Sequence, residues 1–444
     1  MPNDSRRLHF ALLVLFFIFN LFAILYIWWS GSSYVFQDPT LPRILIAFGK
    51  LTGFLAAYVI LIQITLVGRL PWIERSFGHD RMNRLHRWIG YSIGIFFLSH
   101  PLLLTLGFSM QREISIGEQF LNFLVNWEDV DLAFLGFLLF IIIIIISIPI
   151  IKRKLQYESW YFAHLLVYPA IALAFGHQIH AGDIDGEKWT LVYWYTLNGI
   201  VWVTLFYCRF VRPLYHAFKY RFVIDKIVPE TPDVNSVYIT GKNIDQFHFL
   251  PGQFANLYFF QKDLWSAHPF SFSEGPNGKY LRFSIKGSGD FTKRISELKP
   301  GTRAMIDGPL GVFTEEFSKR DKYLLIAGGI GITPLRALLD SLCKHDKEAI
   351  LLYAVRTEAD IAFRKELELM SCKTHYFLSQ PPTVKSNWYE EGFIDLEKMK
   401  RLVPDFLARE IYVCGPPIML DMQLKLLKGA GFDMKHVHYE KFNY

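Results

Sequence analysis

The sequence predicts a chain in two halves: an all-α membrane bundle of six helices, then a soluble half with a small antiparallel β-barrel and an α/β layer built on a parallel sheet. Three observations carry this. Six apolar runs, each near the ~20 residues that a bilayer requires, occupy the first half. After Pro213 they give way to short alternating stretches punctuated by Pro and Gly, such as RFVIDKIV, SVYITGK and QFANLYFF, which read as strands. From Lys322 the order becomes strand, Gly-rich turn, helix, strand, in YLLIAGGIGITPLRALLDSL, AILLYAVRT and EIYVCGPPIML. The expected division is 1–213, 214–320 and 321–444.

The expected spans run roughly from Leu8 to Trp29, Ile44 to Val67, Leu85 to Phe108, Leu132 to Ile151, Trp160 to Ala181 and Leu191 to Phe210. Hydrophobic residues make up 52% of the 444 and the mean hydropathy is +0.21, with the apolar excess concentrated in the first half. The first run lacks a small-residue cleavage site and is too long for a signal-peptide core, so it is kept as a span.

Orientation follows from the basic residues. Arg6, Arg7, Arg69, Arg75, Arg81, Arg84, Arg87, Lys152, Arg153, Lys154, Arg209 and Arg212 fall at alternate span ends, and the opposite loops are acidic. The positive-inside rule therefore puts both termini and the soluble half in the cytoplasm, with the spans in the plasma membrane. These basic flanks are topology signals, and no nucleic-acid partner is expected. The four cysteines, Cys208, Cys343, Cys372 and Cys414, show no paired spacing, so neither a disulfide nor a zinc site is expected.

The third and fifth spans each carry two histidines. His86 and His100 are fourteen residues apart, a rise of about 21 Å that returns within about 40° of one face. His164 and His177 are thirteen apart, with nearly the same rise but an offset of about 140° in a straight helix. Pro169 lies between them and can unwind the helix enough to restore the facing direction. Histidine is costly in hydrocarbon, and neutral imidazole is a good axial ligand for haem iron. Four at matched depths point to two stacked b haems, one held by His86 and His164 near the cytoplasmic leaflet, the other by His100 and His177 near the outer one. His180 competes with His177, and bonding between helices is the bland alternative for any single histidine.

Five elements together resemble the NADPH oxidase and ferric reductase group, whose soluble part is similar to ferredoxin–NADP reductases. They are the histidine pairs, HPFSFS (His268 to Ser273), IKGSGDFT (Ile285 to Thr292), GGIGITP (Gly328 to Pro334) and CGPP (Cys414 to Pro417). The resemblance runs from about Leu8 to Tyr444 and implies a bis-haem bundle with FAD- and NADP-binding domains. It sets His268, Pro269, Phe270 and Ser271 along the flavin, with Lys286, Gly289 and Thr292 near its pyrophosphate. Lys286 stands where relatives often carry Arg, which keeps the charge but loses a bidentate grip.

Gly328, Gly329 and Gly331 permit close approach of the nicotinamide dinucleotide at a helix start, and Thr333 can hydrogen-bond it. The resemblance places Arg356 at the adenosine 2′-phosphate, with Arg364 as a helper; Glu358 would instead accept a ribose hydroxyl of NADH. In the CGPP run it puts Cys414, followed by Gly415 and Pro416, beside the nicotinamide, with a small buried hydrophobe as the alternative for Cys414. The ending HYEKFNY resembles a Glu-x-aromatic terminus with Phe442 over the flavin, although Tyr444 competes for that place.

The implied activity is NAD(P)H oxidation through FAD and two b haems, with oxygen reduced to superoxide outside. Arg43, near the outer end of the second span, would stabilise superoxide or a haem propionate. Leu104 stands where several eukaryotic oxidases place a further histidine. A ferric-chelate reductase and a haem-binding relay or redox sensor serving a protein partner are the alternatives. With no EF-hand and no long regulatory insertion, activity without an obligatory activator subunit is expected.

Overall fold

The computed structural model describes residues 3–68, 70–180, 184, 187–383 and 386–441. They form two compact units, one of His9–Leu70 with Asn83–Phe206, the other including Pro71–Met82 and everything from Tyr207 onward.

In chain order the helices of the first half are α1 (Asn3–Ser32), α2 (Leu41–Val67), α3 (Pro71–Phe77), α4 (His79–Arg112), α5 (Ile116–Asn126), α6 (Val130–Ser147), α7 (Pro149–Lys152), α8 (Tyr157–His164), α9 (Val167–His180), α10 (Lys188–Phe206) and α11 (Arg212–Tyr220). Among the described residues six stretches are long and apolar enough to span: Phe10–Phe36, Leu41–Val67, Arg81–Arg112, Val130–Ser147, Ser159–His180 and Lys188–Tyr220. Most of their side chains face outward, Trp88, Val203 and Phe22 among them, which only lipid would solvate. The helix α2 is the most enclosed, with 44% of its apolar window buried.

Two irregularities have sequence causes. Between α8 and α9 the helix opens into a turn at Leu165 and Leu166, just before Pro169, so the unwinding expected from the histidine phase is present. The last span does not end at Pro213: the chain passes through a π-helical turn at Tyr207–Val211 and runs on to Tyr220. Pro213 has no N–H for the carbonyl four residues back, and widening the preceding turn accommodates this.

The soluble unit begins with two three-stranded antiparallel sheets. Strands β1 (Val223–Thr231), β2 (Val234–Thr240) and β5 (Leu281–Lys286) lie in the order β1-β2-β5; β3 (Phe254–Phe259), β4 (His268–Ser271) and β6 (Ala304–Leu310) lie in the order β4-β3-β6. Bridges Val223 to Arg303 and Phe272 to Phe283 join the sheets at two corners and complete a barrel-like body around Phe259, Phe272 and Phe283, all fully buried. A one-turn helix, α12 (Asp290–Lys293), follows β5. The side chain of Glu74 on α3 accepts the Gly311 N–H at 3.0 Å, which seats this loop helix on the barrel.

The remainder is a six-stranded parallel sheet in the order β10-β9-β8-β7-β11-β12. Its elements are β7 (Lys322–Gly328), α13 (Ile332–Lys344), β8 (Glu348–Val355), α14 (Arg364–Leu369), β9 (Lys373–Leu378), β10 (Tyr389–Glu391), α15 (Leu396–Leu402), β11 (Glu410–Gly415), α16 (Pro417–Gly429) and β12 (Val437–Lys441). Strands β7 and β11 are buried almost throughout, the pattern of a sheet covered on both faces.

One expectation is corrected here. Cys343, at the end of α13, and Cys372, just before β9, form a disulfide with Cα atoms 5.8 Å apart. Their 29-residue separation shows no motif because a β-strand and a helix intervene, and the fold alone brings the two ends together.

Candidate functional site

In the membrane unit the four predicted histidines meet as two pairs. The His86 and His164 ring centres are 6.4 Å apart, and those of His100 and His177 are 6.2 Å apart. Metal–imidazole bonds of about 2 Å on each side of one ion put ring centres about 6 Å apart, so both gaps fit a single ion between two imidazoles. Among the described residues no cluster of three His, Cys, Asp or Glu side chains is placed to hold a metal. Each pair therefore suits an ion whose remaining ligands come from its own macrocycle.

Neighbouring groups set the rings. His100 Nδ1 lies 2.8 Å from the Gly49 carbonyl, which can only accept, so Nδ1 carries the proton and the lone pair is on Nε2. His164 Nδ1 contacts Ser147 Oγ at 3.2 Å, and its ring stacks on Trp160 at 5.1 Å. His180 instead pairs with Asp129 at 2.8 Å. The same unit has an apolar core that includes Phe54, Ile93, Phe140, Ile171 and Trp194. Arg43 is not drawn to the histidines: it sits in the first turn of α2, partly exposed and ion-paired with Asp38. Leu104 packs against Gly49.

In the barrel, β4 pairs with β3 so that Asn256 opposes Pro269 and Phe254 opposes Ser271. Pro269 is exposed, His268 and Phe270 are half-buried, and Ser271 is buried. The His268 ring lies 3.9 Å from Phe291, and its Nε2 is 3.1 Å from Ser266 Oγ. At Gly289 the space a side chain would enter is open out to Thr292 Oγ1 at 3.9 Å, as a close ligand approach requires. Thr292 also holds its own turn, since its hydroxyl oxygen accepts the N–H groups of Ser288 and Gly289 at 3.0 and 2.8 Å.

A cavity of about 360 Å³ lies at the carboxyl end of the parallel sheet, where ligands of open α/β sheets bind. Its walls include Gly328, Gly329, Arg356, Pro416 and Met419, and from the barrel Asp233 and Lys286. Lys286, expected beside the flavin pyrophosphate, thus reaches this cavity, with its Nζ 3.1 Å from Asp233. Gly329 has φ +51°, and a side chain on Gly331 would collide with the Cys414 carbonyl, so both glycines are sterically required.

Two residues expected beside the dinucleotide have structural surroundings of their own. Thr333 is buried and its hydroxyl donates to the Ile330 carbonyl at 3.0 Å, so it fastens the turn. Cys414 is wholly buried in the sheet core, and Gly415 packs against Gly328; neither lines the cavity. Arg364 and Glu358 are paired with each other, with Arg364 also over the Trp388 ring at 4.0 Å, whereas Arg356 faces the cavity. Phe442 and Tyr444 lie outside the described residues.

Sequence reasoning missed the apolar cavity wall of Phe393 and, one turn apart on α16, Ile418 and Met422, all exposed large side chains, and a buried charge cluster around Arg282. An Arg between Leu281 and Phe283 in the strand LRFSIK was the signal for the cluster.

The fold and these sites define a multi-pass membrane oxidoreductase with FAD- and NAD-binding domains. Residues 52–175 match the ferric reductase like transmembrane component, 224–313 the FAD-binding domain and 325–425 the oxidoreductase NAD-binding domain. The three matches in this order make up the NADPH oxidase/ferric reductase-like architecture. It is 29% identical over 231 residues to the glycine betaine monooxygenase reductase subunit of Pseudomonas aeruginosa, covering 49% of this chain and 62% of that one. It is 32% identical over 197 residues to a probable dihydroorotate dehydrogenase B (NAD(+)) electron transfer subunit of Methanocaldococcus jannaschii, covering 44% and 68%. The FAD/NAD binding domain of nitric oxide dioxygenase from Vibrio cholerae superposes with a TM-score of 0.45 at 23% identity, over 50% of this chain and 97% of that one.

Proposed function

We propose that the chain is a transmembrane NAD(P)H oxidase that carries electrons from cytoplasmic NADPH to oxygen beyond the plasma membrane and forms superoxide. The observation that carries this reading is the two pairs of facing imidazoles, with ring centres 6.4 and 6.2 Å apart. His86 and His164 would hold the inner b haem, His100 and His177 the outer one. FAD supplies the change from two-electron to one-electron chemistry, and haem b supplies one-electron relay.

The chain's own residues bind and orient. Gly328 and Gly329 bring main chain to the dinucleotide phosphates, and Arg356 faces the adenosine 2′-phosphate, which favours NADPH over NADH. The β4 residues His268 to Ser271 would line the flavin, and Cys414, Gly415 and Pro416 would shape the strand end where nicotinamide approaches, with Phe442 proposed from the sequence to cover the flavin ring. Arg43 screens charge at the outer end of α2. Its ion pair with Asp38 supports the competing reading, ferric-chelate reduction, because a committed Arg is less available to an oxygen anion.

The test is anaerobic reduction of purified protein by NADPH, followed through the haem absorbance, with oxygen and ferric citrate then added separately. Dismutase-sensitive cytochrome c reduction supports the oxidase. Fast anaerobic ferric-citrate reduction with little oxygen uptake reverses the acceptor, and reoxidation by neither one leaves a relay to a protein partner.

A further inference from the structure

At the seam between the barrel and the α/β domain, five charged side chains are packed together. Arg282 on β5 is 2% exposed and donates to Glu366 of α14 through both terminal nitrogens, at 2.8 and 3.0 Å. It also donates to Glu230 at 2.7 Å and to Ser236 Oγ at 3.2 Å, and lies 3.4 Å from Glu274. Arg336 on α13, itself 7% exposed, donates to the same Glu366 at 2.6 Å and to the Ser273 carbonyl at 3.3 Å. Glu366 is thus held by one arginine from each domain, and the second arginine grips the end of HPFSFS.

Stability alone is a weak account of this cluster. Burying two arginines, with Glu230 and Glu274 mostly buried and Glu366 a third exposed beside them, costs more than well-packed apolar residues would, and the best-attested return on such a cost is a fixed register. The neighbours of the cluster are what a register would serve. Arg336 lies one turn into the helix that follows the Gly328–Gly331 turn, and Arg282 is four residues before Lys286 on β5. The nucleotide cavity is walled by Asp233, Val234 and Lys286 from the barrel and by Gly328, Gly329 and Arg356 from the α/β domain. A shift at the seam moves one wall against the other.

We propose that Arg282, Arg336 and Glu366 are positioning residues, a charge clamp that sets how the nucleotide cavity faces the flavin strand β4. This rests on the oxidoreductase reading for its kinetic consequence but not for its structural one.

The test uses full-length protein carrying Glu366→Gln, with Glu366→Asp as the conservative variant. Two quantities are read: amide hydrogen exchange across residues 273–282 and α13 without nucleotide, and flavin reduction by saturating NADPH in anaerobic stopped flow. In Glu366→Gln, exchange in those two segments is expected to quicken while the β7 and β11 cores stay protected. Maximal flavin reduction falls about 10- to 100-fold with KM changed less than about threefold. Glu366→Asp recovers part of both. Wild-type exchange at the seam together with wild-type maximal reduction, or a loss confined to KM, overturns the clamp. Where Glu366→Gln does not accumulate folded, Arg336→Met is read the same way; failure of both to fold makes the cluster a stability element and also overturns it. Wild-type protein that binds no flavin would sink the oxidoreductase reading, while the exchange comparison would still decide the clamp.

Discussion

His100 hydrogen-bonds through Nδ1 to the Gly49 carbonyl at 2.8 Å, and the next turn of α2 presses on the same ring, since a side chain at Gly53 would stand 2.5 Å from that nitrogen. The two glycines therefore aim the imidazole as well as fixing its tautomer. Gly53→Ala must displace the ring, an overpacking of about 1–3 kcal/mol. The expected result is a fall from two haems per chain to one, measured as pyridine haemochrome against protein. Gly94→Ala is the matched control, because nothing lies within 4 Å of that position. Full haem content in Gly53→Ala would refute the outer site.

Arg356 carries the second prediction. It lines the cavity, whereas Glu358, the competing ribose acceptor, is tied up with Arg364. A hydrogen bond to a charged group is worth about 1.5–3 kcal/mol, or about 10- to 100-fold in affinity. Arg356→Ala is therefore expected to raise KM for NADPH by that factor and to change KM for NADH less than about threefold. Equal losses with both nucleotides would remove Arg356 from the 2′-phosphate and leave the preference to other residues.

The parts of this molecule that the sequence revealed are those where one local pattern suffices. Apolar run length marks the six spans, and Gly328 to Gly331 mark a strand-to-helix turn through steric need alone. The thirteen-residue spacing of His164 and His177 even exposed the break at Leu165 and Leu166, because a straight helix could not face both rings inward. What stayed hidden depends on elements distant in sequence. The turn bonds of Thr292 and Thr333 were not legible, because which backbone group a hydroxyl meets depends on the turn's geometry. Cys343 and Cys372, like Arg282 and Glu366, become neighbours only once the α/β crossovers are made.

Glu410 gives a pH prediction. Its carboxylate is 1% exposed between His438 at 2.6 Å and His436 at 2.9 Å. Burial alone pushes this carboxyl up, but the hydrogen bonds from the two histidines outweigh it and hold it below the ordinary carboxylate range. With a depressed folded value, the stabilisation is fully present above the unfolded value of about 4.3 and is lost as pH falls through the folded one. Glu410→Gln should thus be less stable than wild type near neutrality, and the two urea midpoints should converge as the medium is acidified. A gap between them that persists unchanged into acid would exclude the carboxylate as its source.

The Cys343–Cys372 bridge bears on both stability and compartment. It closes a loop of 29 residues around α14, and the loop-entropy relation gives about 3–4 kcal/mol for a loop of that length. Cys343→Ser should therefore lower the thermal midpoint of the soluble half by several degrees, as should a reductant acting on wild type and not on the variant. The bridge also tests the orientation inferred from the basic loops, because cytoplasmic thiols are ordinarily kept reduced. Alkylation of intact cells followed by mass analysis reads the state directly. Two modified thiols at Cys343 and Cys372 fit a cytoplasmic soluble half in which the bridge forms only on oxidation. A protected pair in cells whose cytoplasm is reducing would place that half on the opposite side of the membrane and reverse the direction of electron flow.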